Sequence, residues 1–326
     1  MTQAKARDHG GGLDAAVTRF GNARADWVDL STGINPVPYP IPAIGDDAWT
    51  ALPDMAAASA LEQAAREFWN VPDTAAVLAA PGASSLIARI PALLPADQVR
   101  IDAQTYNEHA AAFCTGGWTI STAASNTRVV VHPNNPDGAL WSPLDQGDTD
   151  FGLLVIDESF CDTVPEQSHI RMAQKPGVII LKSFGKFWGL AGLRLGFAIG
   201  DPGLIARLAQ LLGPWPVSGP ALGIGAVALT DPDWAIQTRS RLRADASRLD
   251  RCMLDAGAQV AGGTSLFRLY AVDNARRWRN TLARQHIWSR IFPYSKTWLR
   301  LGFPREERWQ QVETALAAAG ADSHSS

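Results

Sequence analysis

The sequence of 326 residues predicts an α/β protein with a large domain on a mostly parallel central sheet and a smaller α+β domain. Short apolar runs through the middle of the chain each end in polar residues, a pattern typical of parallel strands that are covered on both faces. A long polar helix is then predicted over Asp233–Leu254, followed by the strand-like runs SLFRLYAV, HIWSRIF and TWLRLGF. We therefore expect an N-terminal arm over 1–45, a large domain over 46–230 and a C-terminal small domain over 231–326.

The individual elements follow from periodicity and breakers. The first 45 residues are rich in Gly and Pro and predict little regular structure apart from a helix near Asp14–Gly21. An amphipathic helix is predicted from Ala57 to Trp69, and AAVLAAPGASSLIARIPALL then predicts a strand, a glycine turn and a helix. Another helix is expected over Asp201–Leu212. The remaining strands of the large domain are predicted at Gln98–Ile101, Arg128–His132, Leu153–Asp157, Val178–Leu181 and 193–200.

Composition excludes several classes of protein. Hydrophobic residues make up 46% and charged residues 19%, as in a globular protein with a large core. The net charge of −3 provides no overall field for nucleic acid or an anionic membrane. The sequence has no apolar run long enough to span a bilayer and no signal-peptide pattern at its start. Three scattered cysteines form neither a disulfide framework nor a metal motif, so we expect a cytoplasmic protein without a metal site.

Candidate functional groups fall where the predicted strands end. They are Gly82–Ser85, Asn134–Gly138, Asp157 and Ser183–Lys186. Ligands of open α/β sheets bind beyond the carboxyl ends of the strands. The order of these groups therefore predicts one shared site.

Two of these residues suggest specific chemistry. Lys186 follows an apolar strand and is flanked by Phe184, Phe187 and Trp188. Partial burial would lower its pKa and make it a better Schiff-base nucleophile, although the same position suits an exposed lysine. Asp157 ends the run LLVIDE, and a buried acid there needs a partner. A helix cap or a structural ion pair would serve equally well.

The other candidates are individually weaker. Gly82, Ala83 and Ser84 follow a strand and open a helix, an arrangement that suits an anion or an ordinary cap. Arg194 could clamp the same anion or form a surface ion pair. Asn135 and Tyr106 could contact a ring, or could belong to a turn and to packing.

Taken together, these residues give the sequence a recognisable resemblance. It resembles the fold-type I pyridoxal-phosphate (PLP) enzymes of the class I/II aminotransferase family over nearly the whole chain. The shared elements, in order, are G-x-S at 82–84, an aromatic at 106, N-N-P-x-G at 134–138, D-E at 157–158, S-F-G-K at 183–186, R-L-G at 194–196 and L-R-L-G at 299–302.

The resemblance implies the PLP-transferase fold, a homodimer and roles for particular residues. Lys186 would bind PLP as a Schiff base and shuttle protons, and Asp157 would pair with the pyridine nitrogen. Asn135 would bind the ring O3′, and Tyr106 would stack on the ring. The residues that would bind the cofactor phosphate are Gly82, Ala83, Ser84, Ser183 and Arg194.

The sequence departs from the family pattern at two positions. The family commonly has D-E-x-Y, whose tyrosine also contacts O3′, and here that position is Phe160. Many relatives have Y-P-D, whose tyrosine reaches the phosphate in the neighbouring subunit, and here it is Leu52-Pro53-Asp54. Both substitutions remove a hydroxyl that would contact the cofactor.

The N-terminal segment narrows the resemblance. DHGGG at 8–12 and DLSTGINPVPYP at 29–40 are similar to the opening of threonine-phosphate decarboxylases of cobalamin biosynthesis, although Gly replaces a frequent Asn in the first motif. A flexible arm with turns is the alternative interpretation. The resemblance implies a small phosphorylated amino acid as substrate, whose phosphate or carboxylate would be anchored by His9, Asn35 and Arg300.

Two other functions remain open at this point. Histidinol-phosphate aminotransferases are close relatives that usually lack the H-G-G motif, so a histidinol-phosphate-type or other aminotransferase is one alternative. A non-catalytic PLP-fold binding or regulatory protein is another, and the missing hydroxyls at Phe160 and Leu52 are compatible with it.

Overall fold

The computed structural model describes residues 9–142 and 151–321. They divide into two compact units. Unit 1 comprises the described parts of Met1–Val37 and Arg241–Ser326, and unit 2 comprises the described parts of Pro38–Ser240. The two ends of the chain therefore belong to the same unit. None of the described helices is both long enough and apolar enough to cross a membrane.

The centre of unit 2 is a seven-stranded sheet in the order β2-β8-β7-β6-β5-β3-β4. Only β8 runs antiparallel to its neighbours, so the mostly parallel sheet expected from the sequence is confirmed. Its strands are β2 (Ala76–Ala80), β3 (Gln98–Ile101), β4 (Thr119–Ser121), β5 (Thr127–Val131), β6 (Leu153–Asp157), β7 (Val178–Ser183) and β8 (Gly196–Gly200).

Burial explains why these strands have continuous apolar sequences. Every residue of β5, β6 and β8 is buried, because helices cover the sheet. Leu86, Phe113 and Leu208 come from three helices and pack into the same core as the strands. The helices of unit 2 are α2 (Asp47–Thr50), α3 (Met55–Trp69), α4 (Ala83–Ile87), α5 (Asn107–Thr115), α6 (Pro202–Leu212) and α7 (Gly219–Leu229).

Local sequence signals define where several helices begin. Asp54 caps α3 by accepting from the Ala57 N–H, and Asp201 caps α6 in front of a proline at the first helical position. The polar helix α8 (Pro232–Asp255) contains the boundary between the units. These helices agree with the sequence-based predictions to within a few residues.

Unit 1 is built around a four-stranded antiparallel sheet in the order β12-β13-β10-β9. A short strand near the N-terminus, β1 (Val28–Asp29), pairs in parallel with β11. The other elements are α1 (Leu13–Phe20), β9 (Gln259–Thr264), β10 (Phe267–Ala271), α9 (Ala275–Arg284), β11 (Ile287–Trp288), β12 (Arg290–Ile291), β13 (Trp298–Leu301) and α10 (Trp309–Ala321).

Several strands differ from the sequence-based expectation. The strand expected over 193–200 begins only at Gly196, because Ala191–Leu193 form a 3₁₀ turn and Arg194 has a left-handed backbone with φ of 53°. The strand β9 was not predicted, because its sequence QVAGGT contains two glycines and lacks a clear alternation.

Candidate functional site

The polar residues at the strand ends line one pocket in unit 2, called here the strand-end pocket. The strands β2, β5, β6 and β7 run in the same direction, so their carboxyl ends lie at one edge of the sheet. The sequence-predicted residues that line the pocket are Ala83, Ser84, Tyr106, Asn135, Asp157, Ser183, Lys186 and Arg194. Ser159 and Phe160 also line it.

Asp157 is the buried acid of the pocket, with only 2% of its surface exposed. Its Oδ2 lies 2.8 Å from Nε2 of His109, and its Oδ1 accepts hydrogen bonds from the backbone and hydroxyl of Ser159. Burial alone would raise the pKa of Asp157, but these hydrogen bonds outweigh it and hold the pKa below the ordinary value. The carboxylate is therefore ionised at neutral pH.

The sequence reasoning missed His109. It lies three residues after Tyr106, which is the cap position of α5, so both side chains lie on one face of the first turn. Their ring centroids are 6.0 Å apart. Because a carboxylate only accepts hydrogen bonds, His109 Nε2 carries the proton that it shares with Asp157. The i, i+3 spacing was the signal that could have identified it.

Lys186 is half-buried, and its Nζ lies 5.4 Å from the centroid of the Phe160 ring. The aromatic residues beside it in sequence pack elsewhere. Phe184 stacks on Trp188 with centroids 5.1 Å apart, and Trp188 stacks on Trp234 at 5.2 Å. This aromatic cluster anchors the loop that carries Lys186, whereas Phe160 provides the apolar surface beside the amine.

The part of the pocket lined by Arg194 and the start of α4 suits an anion. Gly82 precedes α4 with φ of 81°, and a β-carbon there would lie 2.5 Å from a guanidinium nitrogen of Arg194. Only glycine fits this close approach. Arg194 Nη1 donates to the Ala191 carbonyl at 2.8 Å, which fixes the guanidinium beside the start of α4, where Ala83 and Ser84 line the pocket.

A second buried charge network begins at Glu158, the residue after Asp157. Lys182 Nζ donates to Glu158 Oε2 at 2.6 Å and lies 3.8 Å from Asp162 Oδ1. Burial would lower the pKa of Lys182, but the two carboxylates raise it above its usual value. Trp69 and Trp188 donate indole hydrogen bonds to Asp162. The network ties the end of β6 to β7, and the sequence reasoning missed it although Lys182 interrupts an apolar strand.

Three potential metal ligands converge in the same region, namely His132, Glu158 and Cys161. Both nitrogens of His132 already have partners, because Nδ1 accepts from the Trp141 N–H and Nε2 donates to the Gln167 carbonyl. Glu158 is neutralised by Lys182. The donor set is therefore satisfied by protein hydrogen bonds.

The three predicted substrate anchors lie in unit 1. Arg300, on β13, is buried and donates to the Ser31 carbonyl at 2.7 Å. Burial and the neighbouring Arg290 lower its pKa to about 10, so the guanidinium is still charged at neutral pH. Asn35 is buried, and its amide oxygen accepts from Arg241 at 2.6 Å. His9 is exposed, and its carbonyl accepts from Arg290.

The two departures from the family pattern occupy different environments. Phe160 is buried and lines the strand-end pocket, so the pocket lacks the hydroxyl that the family's tyrosine would provide there. Leu52 is 65% exposed in unit 2. Its side chain is therefore a surface feature of this unit.

Comparison with known proteins is consistent with this geometry. The family model described as "Aminotransferase class I and II" matches residues 25–316. The chain is 38% identical over 310 residues to a threonine-phosphate decarboxylase from a Sinorhizobium species, covering 90% of this chain and 92% of the relative. A threonine-phosphate decarboxylase from Pseudomonas aeruginosa is 35% identical over 334 residues, covering 97% and 99%.

Solved structures show the same fold. The histidinol-phosphate aminotransferase from Sinorhizobium meliloti in complex with pyridoxal-5′-phosphate superposes with a TM-score of 0.80. It is 17% identical to this chain, and the superposition covers 99% of this chain and 98% of the other. The PLP-transferase fold that the sequence predicts is confirmed.

Proposed function

Because the chain belongs to the class I and II aminotransferase family, we propose that it is the member that decarboxylates L-threonine O-3-phosphate to aminopropanol phosphate in cobalamin biosynthesis. The observation that carries the proposal is the 35–38% identity to threonine-phosphate decarboxylases over nearly the full length of both chains. The H-G-G and I-N-P segments, at 9–11 and 34–36, support the same choice.

Pyridoxal phosphate is the cofactor of this family and of this chain. When bound, it supplies an electron sink for the bond that breaks at the substrate Cα. The residues of the strand-end pocket fit this group. An ionised buried Asp157 suits a protonated pyridine nitrogen, and the glycine at 82 leaves Arg194 and the start of α4 open to a phosphate.

We assign roles to these side chains accordingly. Lys186 Nζ would attach the cofactor and carry protons to and from the substrate Cα. Asp157, oriented by His109 and Ser159, would hold the proton on the ring nitrogen. Asn135 would donate to O3′, and Tyr106 would cover the ring face. The phosphate would be bound by Gly82, Ala83, Ser84, Ser183 and Arg194.

The substrate side of the proposal rests on unit 1. Arg300 provides a buried, charged guanidinium that suits a carboxylate or phosphate. His9 and Asn35 are proposed as further anchors. The amide oxygen of Asn35 already accepts from Arg241 and from the Val37 N–H, so its contribution to an anion would come through its amide N–H groups.

A substrate assay separates this proposal from its alternatives. Purified holoenzyme is incubated with threonine phosphate, and released CO₂ and aminopropanol phosphate are measured. Transfer of the amino group from histidinol phosphate to 2-oxoglutarate, without CO₂ from threonine phosphate, would move the assignment to an aminotransferase. An absence of both reactions, together with no absorbance band at about 420 nm, would indicate a non-catalytic binding or regulatory protein.

We also propose that the enzyme is a cytoplasmic homodimer. The segment 49–55 exposes the side chains of Trp49, Leu52 and Met55, which are 69%, 65% and 80% accessible, and an apolar patch of this kind suits a protein interface. All three cysteines are free thiols, as in a reducing compartment. Sedimentation of the holoenzyme tests the dimer, and a monomer at micromolar concentration would contradict it.

A further inference from the structure

Unit 1 contains a cleft of about 910 Å³ that we call the basic cleft. It is lined by α1, by the first turn of α9, by the segment from Trp288 to Lys296, and by His9, Gly11, Gly12 and Ser31. Five cationic side chains line it, namely Arg19, Arg276, Arg279, Arg290 and Lys296. Among the described residues that line this cleft, none is an aspartate or a glutamate. It therefore concentrates positive charge in a concave surface, where the potential is strongest.

The start of α9 adds to this potential. Negative side chains are favoured in the first turn of a helix, because the N-terminal N–H groups carry partial positive charge. In α9 that turn instead contains Arg276 and Arg277. Arg277 pairs with Asp273, whereas Arg276 is exposed and lines the basic cleft. A cation placed against the helix dipole is unfavourable for folding alone, and a bound anion would offset both charges.

A second, independent observation comes from Ser289. Its side chain lines the basic cleft and the residue is only 3% exposed, but its hydroxyl has no hydrogen-bond partner among the described residues. Leaving a buried hydroxyl unsatisfied is unfavourable, so such groups normally mark a position that a ligand or water completes. A phosphoryl oxygen accepts hydrogen bonds and would satisfy the Ser289 hydroxyl.

We propose that the basic cleft binds an oligophosphate, a ligand with two or more linked phosphoryl groups, through Arg19, Arg276, Lys296 and Ser289. Charge complementarity supports this class, because five cations match the three or more negative charges of such a group better than a single phosphate monoester. The cleft shares no lining residue with the strand-end pocket, and Arg300 does not line it, but the proposed substrate anchor His9 does. The four residues assigned to the oligophosphate are not among the proposed substrate anchors, so its binding does not require that the chain decarboxylate threonine phosphate.

The test is calorimetric titration of the PLP-loaded enzyme with inorganic tripolyphosphate. We expect saturable one-site binding that weakens as salt is added. The double charge reversal Arg276→Glu/Lys296→Glu should raise Kd by about tenfold or more, as expected for the loss of charge-assisted hydrogen bonds. The matched control is Arg284→Glu, an exposed residue at the other end of α9 that does not line the cleft. It should leave Kd within about twofold.

Ser289→Ala provides a second test in case the double variant misfolds. It removes one oxygen only, and it should raise Kd several-fold without lowering the unfolding temperature. Binding that is absent, or that weakens equally in Arg284→Glu, would overturn the proposal. Weakening by Arg300→Lys but not by the cleft variants would also overturn it, because the anion would then bind at the proposed substrate anchor.

A parallel titration with ATP identifies the source of the oligophosphate. Equal or tighter binding of ATP, lost in the same cleft variants, supports the proposal and indicates that the ligand is the triphosphate of a nucleotide. Weaker binding of ATP than of tripolyphosphate supports it with an inorganic oligophosphate. Because calorimetry measures binding and not turnover, failure of the decarboxylase assay leaves this result intact.

Discussion

The strand-end pocket of unit 2 and the basic cleft of unit 1 differ in whether their charged side chains are neutralised by other protein groups. In unit 2 two buried charges beside the pocket are compensated by protein groups, since Asp157 is bonded to His109 and Lys182 to Glu158. In unit 1 five cations line a cleft whose described lining contains no carboxylate. The first arrangement fixes protonation states before any ligand arrives, and the second leaves charge for a ligand to neutralise.

The comparison shows why the two regions respond differently to substitution. Breaking a compensated buried pair leaves an isolated charge in a low-dielectric interior, which affects folding as well as chemistry. Changing a cation at an exposed cleft alters ligand affinity and has little effect on folding.

Removing the amine of Lys186 should have the largest effect. Lys186→Ala should lower the rate of CO₂ release by at least about 10³-fold, because both covalent attachment and proton transfer are lost. The absorbance band at about 420 nm should disappear as well. The matched control Lys175→Ala, at an exposed lysine of unit 2, should retain activity. Wild-type activity in Lys186→Ala would refute the assignment of this site.

Breaking the buried pair behind the pocket should reduce stability. Lys182→Met should destabilise the folded state by about 3–5 kcal/mol, because Glu158 is left buried and charged without its cation. The double variant Lys182→Met/Glu158→Gln should recover part of that loss. Urea unfolding of the apoenzyme measures both. Equal stability of the single and double variants would show that the pair is not the source of the effect.

Neutralising Asp157 should weaken catalysis. Asp157→Asn should lower kcat roughly 10²-fold, since the ring nitrogen loses its ionic partner. Because the pKa of Asp157 is lowered from 3.8, its ionised form stabilises the fold above that pH, and this contribution is lost as the pH falls through the folded pKa. The stability difference between wild type and variant should therefore narrow in acid. A difference that widens on acidification would contradict the assigned direction.

Changing the proposed substrate anchor in unit 1 should act on affinity. Arg300→Lys keeps the charge but loses the planar fork of donors, so KM for threonine phosphate should rise about tenfold while the cofactor absorbance is unchanged. Arg305→Lys, at an exposed arginine of the same unit, is the control. A fall in kcat with constant KM would show that Arg300 acts elsewhere in the cycle.

Restoring the family hydroxyl should have the smallest effect. Phe160→Tyr places an O–H group in the strand-end pocket beside Lys186, and one net hydrogen bond would tighten PLP binding by about two- to tenfold. Equilibrium titration of the apoenzyme with PLP measures it, with Phe151→Tyr as a control outside the pocket. Weaker binding would mean that the pocket is packed around the smaller phenyl ring.

The fold class, most elements and the polar groups at the strand ends could be predicted from sequence patterns alone. Continuous apolar runs identify strands buried on both faces, and β6 and β7 lie where such runs predict them. Local caps such as Asp54 and Asp201 mark helix starts for the same reason. These signals are readable because neighbouring residues along the chain cause them.

Contacts between residues far apart in the chain could be identified only from the folded structure. His109 and Asp157 are separated by 48 positions, and Val28 pairs with Ile287 across most of the chain. The basic cleft likewise combines residues near positions 19, 276 and 296. No local periodicity encodes such contacts, because they depend on how sheets and helices pack. Phe160 illustrates the difference, because the sequence shows that the family's hydroxyl is missing there, and the structure shows that the ring lies beside Lys186.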